Sequence, residues 1–112
     1  MASGGIRSDV LASEGVTPGE ERTEPLVLTG DTAGAASWGV AWYLLRDPDD
    51  AAADAVLTVD DAITFDPDAA DGPTFYVPFD TDGLEARRYW RELWRLTPTP
   101  LRLTYGDFHI ID

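Results

Sequence analysis

Residues 82–111 read DGLEARRYWRELWRLTPTPLRLTYGDFHII and hold two of the four Trp, two of the four Tyr and five of the eight Arg of the chain. Two foldings compete over this stretch. Ala86, Tyr89, Trp90, Leu93 and Trp94 fall at helical spacing, and Asp82 followed three residues on by Glu85 has the form of a capping box. The other reading is a β-hairpin, with Arg87 to Leu96 as one strand, Thr97-Pro98-Thr99-Pro100 as the turn and Leu101 to Ile111 returning. The second half decides between them. Pro98 and Pro100 forbid a continued helix, while Leu101, Leu103 and Tyr105 alternate as a strand does. At Gly106-Asp107 the apolar parity passes to Phe108 and Ile110, which predicts a β-bulge there. A returning strand of that length needs a partner, and the preceding Trp- and Tyr-rich segment suits a pleated surface.

The rest of the chain supplies further strands. Glu24 to Thr29 reads as a short strand with Leu26 and Leu28 inward, ended by Gly30-Asp31. From Ala36 to Arg46 the large residues Trp38, Val40, Trp42 and Leu44 alternate with the small Ser37, Gly39 and Ala41, the pattern of a half-buried strand. Ala55 to Val59 and Ala62 to Phe65, separated by Asp60-Asp61, are β-prone runs expected to pair as a tight hairpin. Thr74 to Asp80 turns Phe75, Val77 and Phe79 inward, and Pro78 suggests an edge or bulged position. These segments, with no convincing crossover helix, predict an all-β fold: an antiparallel immunoglobulin-like β-sandwich of six to seven strands with an extended N-terminal arm. Tyr89 opens the penultimate strand, where such sandwiches place a tyrosine corner. Leu84 and Tyr89 would form that corner, and 82–88 would cross between the sheets.

Residues 1–24 carry few large apolar side chains and cannot bury a core of their own, so the domain is expected over 25–112. The arm either stays a loose leader or orders across a neighbouring subunit, in which case Ile6, Val10 and Leu11 are its contact candidates.

At 112 residues the chain is one domain in length. With 21 acidic and 8 basic side chains its net charge is -13, which opposes nucleic acid and anionic membrane as partners. There is no Cys, so packing must hold the fold without disulfides or thiolate metal sites. No apolar run approaches the roughly 18 residues of a spanning helix, and the amino-terminal segment lacks a signal-peptide core, so secretion by that route is not expected.

Catalytic chemistry finds little to work with. His109, between Phe108 and Ile110, is the only His, and no nucleophile and base assemble around it. The loops DPDDAAAD (47–54) and DPDAADG (66–72) offer carboxylates, but Asp66, Asp68 and Asp71 lack the spacing of an EF-hand loop and read as solvated turns. No phosphate-loop or dinucleotide pattern occurs among the Gly residues. The expectation is a protein that is not an enzyme and takes no cofactor or metal. What stands out is surface. If Tyr89 and Leu93 face the core, Trp90 and Trp94 project from the opposite face of the same strand on either side of Glu92, and aromatics so placed want a cover. That cover is either part of the same subunit, another subunit, or a sugar lying on the rings.

The run DTDGLEARRYWRELWRLTPTPLRLTYGDFHI (80–110) resembles the carboxy-terminal half of small immunoglobulin-like modules from tailed bacteriophages and archaeal tailed viruses, similar to the amino-terminal domain of baseplate upper proteins. The matching features are Leu84, Arg88-Tyr89, Glu92-Leu93, Gly106, and Phe108 with Ile110; upstream, Leu28-Thr29-Gly30 followed by Trp38 looks like the family's entry to its long second strand. Arg87 stands where that family usually has Gly. The resemblance implies a structural virion protein of the capsid surface, neck, tail or baseplate, a homo-oligomer whose partners are other virion proteins and copies of itself. Trp90 and Trp94 would then be contact residues. The alternative is a carbohydrate-binding β-sandwich module with the same Trp rings as platforms.

Overall fold

The computed structural model describes residues 9–10, 14–16, 21–29 and 32–110, and among them it contains nine strands, two short 3-10 turns and no α-helix. The strands are β1 (Asp9–Val10), β2 (Glu14–Val16), β3 (Glu21–Val27), β4 (Gly39–Leu45), β5 (Leu57–Val59), β6 (Thr64–Asp66), β7 (Thr74–Asp80), β8 (Arg87–Thr97) and β9 (Leu101–Ile110). One sheet has the order β3-β7-β6; the other runs β9-β8-β4-β5 antiparallel, with β1 and β2 added in parallel along the outer edge of β9. The two sheets pack as a sandwich. Their order is that of an immunoglobulin-like domain, strands B-E-D facing G-F-C-C′.

The hairpin reading of 87–110 holds. β8 and β9 pair antiparallel from Arg87 opposite Ile110 to Arg95 opposite Leu101. The helical spacing of Tyr89, Trp90, Leu93 and Trp94 is overridden by that partner and by the face-to-face division of the side chains. Tyr89 and Leu93 are buried, whereas Trp90 and Trp94 are half-buried on the other side. The turn contains a cis Thr97–Pro98 peptide.

Several expectations need correction. The register shift in the hairpin lies between Leu93 and Trp94, which face Thr104 and Arg102, so the extra residue is Leu103 and not Gly106 or Asp107. Leu103 and Thr104 are consequently both buried, and Tyr105 turns to the outer face. β5 and β6 do not form a hairpin: β5 pairs with β4 and β6 with β7, so 60–63 crosses from one sheet to the other. The Asp60-Asp61 pair initiates that crossing, with the Asp61 N–H donating to Asp60 Oδ1 at 2.7 Å. The strand expected from Ala36 starts at Gly39, because Ala35–Ser37 forms a 3-10 turn. The domain boundary at residue 25 falls inside β3, which begins at Glu21 and pairs with β7 from the Asp80 end. Pro78 lies on the central strand of the smaller sheet, two residues beyond the last β6 pairing at Tyr76.

The interior is aromatic. Trp42 stacks on Phe79 with centroids 4.9 Å apart, and Phe108 meets both rings edge-on. Leu26, Leu44, Val77, Leu93 and Leu103 fill the space around them at 0–1% exposure. Aromatic rings crossed in this way gain more than their buried area alone supplies.

Through this core runs a polar link. Arg91 of β8 and Glu24 of β3 are 2% and 3% exposed, with Nε to Oε2 at 3.0 Å, and Arg91 also donates through NH1 to the Asp107 carbonyl. In antibody domains a disulfide joins strands B and F, packs on a strand C Trp, and has its second Cys two residues after the corner Tyr. Here Arg91 stands two residues after Tyr89, Glu24 faces it from strand B, and strand C supplies the fully buried Trp42. An ion pair thus occupies the place of the bridge. Burial pushes the Glu24 carboxyl above its ordinary value, against the opposing influence of Arg91, the Trp42 indole and Arg22. Burial likewise lowers Arg91, countered by Glu24 and Asp107.

Candidate functional site

β8 sorts its side chains by strict alternation. Tyr89, Arg91 and Leu93 go inward; Arg88, Trp90, Glu92 and Trp94 go outward. The β4 partners of the outward set are Leu45 for Trp90, Tyr43 for Glu92 and Ala41 for Trp94. Leu45 and Ala41 are 0% and 1% exposed although they point away from the core, so the indoles serve as their cover. From β9 come Arg102, Tyr105 and Asp107, opposite Trp94, Glu92 and Trp90.

Glu92 organises this face. Its Oε1 accepts the Trp94 indole N–H at 3.0 Å, and its Oε2 accepts both the Trp90 indole N–H at 3.0 Å and Arg102 NH1 at 3.2 Å. The Arg102 guanidinium lies 3.9 Å from the Tyr105 ring centre, and Tyr105 is 5.7 Å from Trp90, so cation and rings form one continuous layer. Beside it Arg88 donates from two nitrogens to Asp107 Oδ1, at 3.0 and 2.7 Å. Both oxygens of the Glu92 carboxylate are thus engaged by donors of its own face.

The sequence placed Trp90 and Trp94 on this face beside Glu92. It missed Glu92 as the shared acceptor, and it missed Arg102 and Tyr105. A bulge at Gly106-Asp107 would give Tyr105 the parity of Leu101 and Leu103; with the bulge at Leu103, its parity is that of Trp90. At the corner, the Tyr89 hydroxyl donates to the Glu85 carbonyl at 2.9 Å, and Leu84, half-buried, packs against the core. Of the proposed arm contacts, Ile6 and Leu11 lie outside the described residues. The backbone of Val10 is paired with Tyr105 of its own chain, and that of Glu14–Val16 with Phe108–Ile110, so these parts of the arm extend their own sheet.

The acidic loops close on themselves. Asp66 Oδ1 accepts the Asp68 N–H at 2.9 Å and Asp50 Oδ2 the Asp47 N–H at 3.3 Å, and no metal-holding cluster occurs among the described residues. His109 is half-buried opposite Arg88. An open groove at the mouth of the sandwich is lined by Arg22, Thr23, Ala62, Pro78, Phe79 and Asp80, with no pair of groups suited to proton transfer.

No family model matches the sequence, and no curated protein matches it.

Proposed function

We propose that the chain is a structural component of a tailed-virus particle, acting through protein–protein contacts and not through catalysis. The observation that carries the contact is the outer face of the β9-β8-β4 sheet, where one carboxylate fixes Trp90 and Trp94, Tyr105 lies beside Trp90, and all three rings are left half-buried. Aromatic residues and Arg fixed in this way are the usual anchors of subunit interfaces. The viral setting draws support from the resemblance of residues 80–110, and the immunoglobulin-like strand order agrees with it. Nucleic acid and anionic membrane fit poorly with a charge of -13.

A carbohydrate platform is the weaker reading. Sugar binding needs hydrogen-bonding groups free beside the ring, and here the indole N–H groups and both Glu92 oxygens already bond one another.

Mass spectrometry of particles purified from the source culture should find the chain in the particle fraction. A folded Trp90→Ser/Trp94→Ser variant should be left out of those particles. Absence of the wild-type chain from the particles refutes the assignment, and indole fluorescence that responds to sugars but not to particle proteins replaces it with the carbohydrate reading.

A further inference from the structure

The outer face is electrically balanced in a strongly acidic molecule. Its described ionic side chains are Arg88 paired with Asp107 at 2.7 Å and Arg102 paired with Glu92 at 3.2 Å, so the patch adds nothing to the net charge of -13 carried by the chain. The carboxylates of 47–54, 60–61 and 68–71 lie in connections between strands, and Asp66 ends β6 in the other sheet. A basic partner would be drawn to those loops, and an acidic one repelled from the molecule as a whole.

From this we infer that the face is occupied by the same face of a second copy, in a twofold contact; the inference rests on the contact surface proposed above and names its partner. A twofold interface sets a patch against its own image, so any net charge on the patch repels itself. This one has none. Its two indoles are fixed in orientation by Glu92, and its β4 strip contributes Tyr43 at the position opposite Glu92. Two such layers can stack while the acidic loops stay in solvent. What resists the association is the long-range repulsion of two highly negative bodies.

That opposition gives the contact a distinctive salt response. Raising salt from about 0.1 M to about 1 M contracts the screening length from ~10 to ~3 Å, which removes the repulsion and leaves the apolar contact. Sedimentation equilibrium over a concentration series should therefore show a monomer–dimer equilibrium whose dissociation constant falls as salt rises. A contact built on matched opposite charges responds the other way.

Tyr43→Asp and Tyr43→Arg should each shift the protein to monomer at low salt, and an equal mixture of the two should recover the dimer, with far-UV circular dichroism confirming that each variant is folded. Thr58→Asp and Thr58→Arg, at the exposed β5 position opposite Tyr43, repeat the test if a Tyr43 variant fails to fold. A wild type that stays monomeric up to about 1 mM at either salt overturns the inference. So does a dimer weakened by salt, or a folded variant pair that does not recover on mixing. If the chain is monomeric yet still enters particles through Trp90 and Trp94, this inference alone fails. If it dimerises as described but is missing from particles, only the virion assignment fails.

Discussion

Arg91 and Glu24 face each other from opposite sheets across the middle of the sandwich, 3.0 Å apart and almost wholly out of contact with water. An ion pair in such a place is favourable only relative to either charge alone. Arg91→Met, which leaves the Glu24 carboxylate stranded, should cost about 3–5 kcal/mol at neutral pH. The double variant Glu24→Leu/Arg91→Met should recover wild-type stability or exceed it by up to about 4 kcal/mol. Urea unfolding of the three proteins checks both statements.

The same pair gives stability a pH dependence of defined sign. Burial raises the folded-state pKa of Glu24 above its ordinary 4.5. The contribution of this group is therefore complete below pH 4.5 and is lost as pH rises through the raised value. In Arg91→Met the strongest influence lowering that pKa is gone, so the loss with rising pH should be steeper than in wild type. It should vanish in Glu24→Leu/Arg91→Met. Unfolding midpoints measured from pH 4.5 to 8 decide this, and a steeper loss on acidification in the single variant contradicts it.

Tyr89→Phe removes the hydroxyl that donates to the Glu85 carbonyl and leaves the ring in place. The expected loss is about 1 kcal/mol by chemical denaturation. Amide exchange should quicken locally in 82–86, the segment that the bond restrains, with little change in the β4–β8 ladder.

Glu92→Leu deprives three donors of their shared acceptor at once. Because the donors are near water, the cost should stay at about 1–3 kcal/mol. The indoles should lose their fixed orientation, visible as a weakened near-ultraviolet dichroism signal. Glu92→Gln, which keeps one acceptor oxygen, should fall between the two.

How far the sequence speaks for this fold can be seen residue by residue. Alternation along 36–46 and 74–80 named the buried Trp42, Leu44, Phe75, Val77 and Phe79 correctly, since one-sided burial writes a period of two into a strand. The prolines after Thr97 exposed the hairpin. The partner of β5 was not legible, because a three-residue strand carries too little pattern to say which sheet it joins. Glu24 and Arg91 were invisible as a pair: each looks like an ordinary surface residue until two strands far apart in the chain are laid face to face. At the outer face the Trp residues announced themselves, but Glu92 resembled every other carboxylate in an acidic chain. Its role depends on which atoms surround it, and composition does not record that.

The parallel pairing of β1 and β2 with β9 has a mechanical consequence. Tension applied before Asp9 and after Ile110 drags the two ribbons lengthwise past each other, so their rungs must yield together. An antiparallel closure would peel open one rung at a time. A block fastened to its surroundings by those two ends is thus held in its stiffer direction.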